Sequence, residues 1–352
     1  LKENEPSFTV SDIIRGNFPV GSFEESKEAY RTYPKQISFN NDCFPADERL
    51  YKKLSIIYKR LFYRYRWQSF YPSSAVAFRN LTEVLVLMFR EREKAYISSG
   101  EICFLNSGNP LFYLLSSLLN DRGESVIMFS PGDPDAHAAF QYFGADISYL
   151  NPESESLIAE LIEICKSKPV KLFYLEARGL VPTNVLLPEK IKVQLLALSA
   201  KYKFYIVEAD YDFEFKFSQE RLETLADFGT GRVIRLGVVS KLSPQLRELG
   251  FIKGPAEVVA EVKKTESFRP AGDSVLYEAI AEALKKGILH NCRKKQQAIL
   301  QEKHDSISRL LHRFLSDKVK IVTPIAGFAF WIVFKEEMNV PGLVDRLKEE
   351  GI

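Results

Sequence analysis

Between residues 102 and 238, short apolar, β-rich runs alternate with stretches of helical spacing, and this alternation narrows the possible folds more than any other feature of the chain. Strands are predicted at Ile102–Leu105, Ser125–Phe129, Asp146–Leu150, Lys171–Leu175, Phe204–Glu208 and Val233–Val238. Helical segments lie between them, at Leu111–Leu119, Asp135–Phe143 and Glu189–Lys201, with Gly144 where the second of these should stop. Strand–helix–strand repetition builds an α/β fold, a mostly parallel sheet covered by helices on both faces.

The flanking regions differ in character. Residues 1–36 are mixed and polar without sustained periodicity, and read as a linker or N-terminal arm. From Asp47 to Gln68, Leu50, Leu54, Ile57 and Leu61 recur at the spacing of one helix face. A second helix is predicted near Ala75–Arg92. After Ser274 the pattern turns to a helix through Lys286, a break at Gly287, and a long helix to about Leu315. Strands at Val319–Val322 and Phe328–Phe334 and a last helix at Val344–Glu350 complete it.

With 352 residues, 46% apolar and 27% charged, the chain has ordinary globular composition and can bury a large core. Lysine and arginine total 48 against 46 acidic residues, a formal charge of +2 that gives no reason to expect a nucleic-acid surface. The basic residues interleaved with tyrosines between Lys52 and Arg66 therefore read as a solvated helix face. Cys43, Cys103, Cys165 and Cys292 lack metal-ligand spacing and suit buried positions in a reducing, cytoplasmic setting. No apolar run approaches the ~20 residues of a membrane helix; Leu81–Phe89 contains Thr82 and Glu83 and is too short.

The densest chemistry lies between Phe204 and Phe251. A buried-strand pattern leads into Glu208-Ala209-Asp210-Tyr211-Asp212, and the next strand ends at Ser240-Lys241, with Arg247 and Gly250 following. An amine beside a hydroxyl at a strand end, with an arginine downstream, suits a Schiff-base lysine for pyridoxal phosphate, Ser240 and Arg247 holding the phosphate. Such a lysine needs desolvated or cationic surroundings to become neutral. The bland alternative is a surface lysine among 48 basic residues. Asn106-Ser107-Gly108-Asn109-Pro110, where a strand meets a helix with proline at its first position, reads either as an ordinary strand-to-helix turn or as a second anion site. The four histidines, at 137, 290, 304 and 312, form neither a metal spacing nor a triad.

These segments resemble the pyridoxal-phosphate enzymes of fold type I, the class I/II aminotransferases. They are most similar to the aminotransferase-like domain of MocR-type regulators of the GntR family, which carry stretches like "EDDYDSEF" and "RVIYLGTFSK". The equivalents here are Glu208–Phe215, Arg232–Lys241 and Arg247–Phe251. The resemblance implies a large cofactor-binding domain at residues 96–265 and a smaller α+β domain at 266–352, to which residues 37–95 contribute. It implies that Lys241 forms the Schiff base, that Ser107, Gly108, Asn109, Ser240 and Arg247 surround the phosphate, and that Tyr211 bonds the ring oxygen. An amino acid or small amine would be the ligand, and a homodimer the assembly. DNA would be bound only through a winged-helix domain outside this chain. The absence of an initiating methionine and the stop at Ile352 imply that the true chain extends beyond both ends.

Three positions depart from the family pattern. The acid two residues before the tyrosine, which keeps the pyridine nitrogen protonated, is Ala209; a bulge would let Asp210 replace it. The aromatic that covers the ring is replaced by Asp133, after Pro131-Gly132. The amide before the Pro-Thr-Gly segment is absent from Leu180-Val181-Pro182-Thr183-Asn184. These leave two readings open: a transaminating enzyme, or a ligand-sensing or scaffold domain that has weakened or lost the cofactor.

Overall fold

The computed structural model describes residues 48–65, 74–93, 97–119, 123–211, 214–217, 222–228, 231–266, 272–327 and 329–350. The arm expected over residues 1–36 and Cys43 lie outside them.

Seven strands form one sheet: β1 (Ile102–Leu105), β2 (Ser125–Phe129), β3 (Asp146–Leu150), β4 (Val170–Glu176), β5 (Tyr205–Ala209), β6 (Val233–Val238) and β7 (Gly250–Lys253). Their spatial order is β1-β7-β6-β5-β4-β2-β3. The pairs β2–β3, β2–β4, β4–β5 and β5–β6 are parallel, while β7 runs antiparallel to both β6 and β1. Strand β7 lies where the sequence showed only the Arg247–Phe251 motif. It is four residues long and opens on glycine, too short for alternation to register.

The helices needed for the parallel crossovers are α3 (Pro110–Leu118), α4 (Pro134–Tyr142), α5 (Leu157–Ser167) and α6 (Glu189–Tyr202), with the short α7 (Leu225–Phe228) between β5 and β6 and α8 (Pro244–Arg247) between β6 and β7. With α9 (Ala256–Glu266), helices α3 and α4 cover one face. Leu111, Leu114 and Leu115, Phe140, and Val258, Val259 and Val262 meet Met128, Tyr174, Val207 and Leu236 there. Helices α5 and α6 cover the other face through Leu157, Leu161 and Leu195 against Phe173 and Ile206. Each fully buried side chain of this size contributes about 1.5–3 kcal/mol by leaving water.

A third core lies beyond the β1–β7 edge. Helices α1 (Glu48–Tyr65) and α2 (Ser74–Glu93) pack against α10 (Ser274–Lys285), and Phe89 meets Phe104 and Phe251 edge-on at 5.5 and 4.8 Å. The inward residues expected of the first helix, Leu50, Leu54, Ile57 and Leu61, are all buried. Gly287, at φ 66°, separates α10 from α11 (Ile288–Leu315), and β8 (Val319–Val322) pairs antiparallel with β9 (Trp331–Phe334). A separate unit contains α12 (Val340–Glu349), which starts four residues earlier than expected because Asn339 caps it and Pro341 fits its first turn. No described helix is long and apolar enough to cross a membrane.

Candidate active site at the carboxyl edge of the sheet

Strands β1, β2, β4, β5 and β6 all point the same way, so the loops leaving their carboxyl ends share one edge. That edge receives Ser107–Pro110 after β1, Pro131–Asp133 after β2, Glu176 at the end of β4, Tyr211 after β5 and Lys241 after β6. Strand β2 connects onward to β3 on one side, and β4 to β5 on the other. The crevice between two such strands is where open α/β sheets bind ligands.

Lys241 is 5% exposed, close to the desolvated setting that its proposed chemistry requires. Its backbone N–H donates to Glu214 Oε2 at 2.9 Å, and the Ser240 hydroxyl donates to the same oxygen at 2.7 Å. Ser240 Oγ in turn accepts from the Leu242 N–H. Glu214 therefore pins the lysine loop from the acidic-aromatic segment. The sequence held it inside the quoted Glu208–Phe215 match, without a role.

The Asn106–Pro110 turn sits against the Arg247–Gly250 segment. A Cβ at Gly108 would lie 3.0 Å from the Arg247 carbonyl oxygen, and one at Gly250 only 2.4 Å from that of Ser107. Asn109 caps α3 by accepting from the Phe112 N–H at 3.1 Å, and Ser107 Oγ accepts from the Asn109 N–H at 3.2 Å. The structure thus brings Ser107, Gly108 and Asn109 beside the half-buried Arg247 and a helix N-terminus.

Tyr211 lies at the same edge, packed against the Leu236 and Ala209 core. Burial pushes its phenol well above the ordinary tyrosine range, and Asp133 and Asp135 add to this, so the hydroxyl remains a donor. Asp133 is an N-cap: Oδ1 accepts from the Asp135 and Ala136 N–H groups at 2.9 and 3.3 Å, and Oδ2 from the Tyr174 hydroxyl at 2.8 Å.

Asp210 requires a correction. The β4–β5 register runs without a bulge, pairing Glu176 with Ala209, so Asp210 keeps the opposite orientation from Ala209 and Tyr211. Its fully buried carboxylate is held by Arg178, through Nε at 2.7 Å and Nη2 at 3.1 Å, and by Arg235. Both of its oxygens are thus engaged in ion pairs on that face.

Glu176, the last residue of β4 and the direct neighbour of Ala209, carries no role in the sequence pattern. Burial, then the charge of Asp133, raises its carboxyl to about 8, against an opposing backbone hydrogen bond from Val181. Its Oε1 atom is buried and has no hydrogen-bond partner among the described residues. A carboxylate closing an otherwise apolar run was the only available signal. Among the described residues, no His, Cys, Asp and Glu grouping could hold a metal ion.

No family model matches the chain. It is 23% identical over 305 residues to aromatic-amino-acid aminotransferase 1 of Thermococcus litoralis, covering 84% of this chain and 73% of that one. It is 28% identical over 272 residues to the HTH-type transcriptional regulator TauR of Rhodobacter capsulatus; this covers 73% of the chain but only 52% of the regulator. Among solved structures it is similar to a multiple substrate aminotransferase from Thermococcus profundus, with a TM-score of 0.80 at 18% identity, covering 96% and 87% of the two chains. It is also similar to the α-aminoadipate aminotransferase LysN of Thermus thermophilus, solved with N-(5'-phosphopyridoxyl)-L-leucine, with a TM-score of 0.75 at 22% identity over 90% and 81%. The chain has the architecture of the fold type I pyridoxal-phosphate aminotransferases, and its homologues include both aminotransferases and MocR-type regulators.

Proposed function

We propose that this chain binds pyridoxal phosphate through Lys241 and works on the amino group of an amino acid. The observation that carries this is the buried Lys241 at the end of β6, on the edge where a helix N-terminus, Arg247 and Tyr211 also meet. The side chains fit the cofactor. They offer an amine shielded from water, backbone donors beside a glycine too confined for a side chain, a phenol that stays protonated, and a buried carboxylate oxygen with no partner.

When bound, the cofactor supplies an electron sink for bonds at the substrate's α-carbon. Lys241 would hold its carbonyl group and then, displaced by substrate, move a proton at that carbon. The Ser107–Asn109 turn and Arg247 would anchor the phosphate, with Ser240 turning from Glu214 to join them. Tyr211 would donate to the ring hydroxyl oxygen. Amino-acid binding and dimer formation are typical of this fold family, and both are part of the proposal. So is the division into residues 96–265 as cofactor domain and 37–95 with 266–352 as the smaller part; the packing of α1 and α2 on α10 supports it.

Asp133 favours a second reading. A capping carboxylate cannot stack on a ring as an aromatic does, so the site could hold an amine without turning it over, as a regulator's sensing domain. Its homology to TauR suits this, the chain spanning about half of that regulator. Borohydride reduction after incubation with pyridoxal phosphate, followed by peptide mass mapping, tests the common claim. A phosphopyridoxyl adduct is expected on Lys241; an unmodified Lys241 peptide would reject it. Release of keto acid from an amino acid then separates enzyme from sensor.

A further inference from the structure

A pyridine nitrogen stays protonated only with an anionic or accepting partner beside it. Position 209, next to the crevice and two residues before Tyr211, carries a methyl group and cannot act. Among the described residues, Asp133, Glu176, Glu208 and Asp210 carry carboxylates near the ends of β2, β4 and β5, and their hydrogen bonds separate them. Glu208 accepts from the Leu225 and Ala226 N–H groups on the far face. Asp210 is held on that face by Arg178 and Arg235. Asp133 faces the crevice, but each of its oxygens already accepts a hydrogen bond.

Glu176 differs from all three. Its register partner is Ala209, and paired residues of parallel strands point to the same face. Tyr174, two residues earlier, and Ala209 both belong to the core under α3 and α4, so the Glu176 side chain leaves the sheet on that side. Neighbouring strands are about 4.8 Å apart, so a glutamate on β4 reaches the space that a shorter acid at position 209 on β5 would fill. The Val181 and Glu176 backbone groups partly offset the burial of this carboxyl, and Oε1 is left buried with no partner among the described residues.

We propose that Glu176 is the partner of the cofactor's ring nitrogen, the acid having moved one strand over from position 209. The inference rests on the proposed cofactor reading. In the pair, the proton sits on the ring nitrogen and the glutamate accepts from it as an anion. The carboxyl's upward shift without a partner is consistent with this, since a cation placed there would relieve it. Asp133 then acts as a positioning residue, fixing α4 and Tyr174 beside the ring.

The test compares binding of pyridoxal phosphate with that of its 1-deaza analogue, in which carbon replaces the ring nitrogen, by dialysis or fluorescence quenching. Wild type is expected to prefer pyridoxal phosphate by about tenfold or more, the scale of one charged hydrogen bond. Glu176→Gln should lose that preference, and Glu176→Gln/Ala209→Asp should regain it. The double variant also serves if the single one does not fold. An equal loss of affinity for both compounds in Glu176→Gln, or a double variant without preference, would reduce Glu176 to a structural residue. Binding of neither compound by wild type would reject the cofactor reading itself, a result distinct from the other two.

Discussion

Glu176, Glu208 and Asp210 lie at the ends of two adjacent strands, and the face each one takes decides what it does. Asp210 is compensated by two guanidiniums, so Asp210→Ala would strand two cations against the sheet at a cost of about 3–5 kcal/mol. Glu208 and Glu176 face desolvation without a cation in hydrogen-bond contact among the described residues, and burial raises them to about 7 and about 8. A carboxyl raised on folding binds its proton more tightly in the native state, so its contribution is full below the unfolded value and is lost as pH rises through the folded one. The cofactor-free protein is therefore expected to melt at progressively lower temperature from about pH 5 to about pH 8, each such group contributing at most about 1.4 kcal/mol per pH unit. Glu176→Gln has no proton to lose there and should flatten the slope. A variant slope identical to wild type, measured by thermal melting across that range, would contradict the assignment.

At the scale of elements, the lysine loop depends on a strand that the sequence concealed. The six parallel-type strands were legible because each is an apolar run bounded by turn residues and separated by a helical period. Strand β7 has neither length nor alternation, and its insertion between β1 and β6 brings Gly250 under the Ser107–Pro110 turn. Gly250→Ala would drive a methyl group into the Ser107 carbonyl, where the neighbouring atom is backbone and cannot swing aside. A cost of about 1–3 kcal/mol is expected, typical of overpacking. Chemical denaturation would show it, together with weaker phosphate-dependent binding of the cofactor. Unchanged stability and binding would mean that the turn does not depend on this close approach. The candidate site was partly legible in the same sense. Lys241, Tyr211 and the Asn106–Pro110 turn could be read from local pattern, because each lies next to its own strand end. The Glu176–Ala209 pairing and the Arg178–Asp210–Arg235 group could not, because strand register joins residues that the sequence holds far apart.

At the scale of the whole molecule, one sheet edge gathers loops from five strands, and three apolar cores of sheet and helix lie behind it. Function follows from that convergence more than from any one residue. The buried amine of Lys241, the helix N-terminus after Asn109, the protonated Tyr211 and the orphaned Glu176 oxygen complement different parts of one small, anionic, nitrogen-containing aldehyde. The visible absorption spectrum of the purified protein, recorded with and without added pyridoxal phosphate for wild type and Lys241→Ala, tests this directly. The expected result is a Schiff-base band in wild type that shifts when amino acids are added and is absent from Lys241→Ala. A spectrum in wild type that matches free pyridoxal phosphate, or a band that survives unchanged in Lys241→Ala, would contradict it.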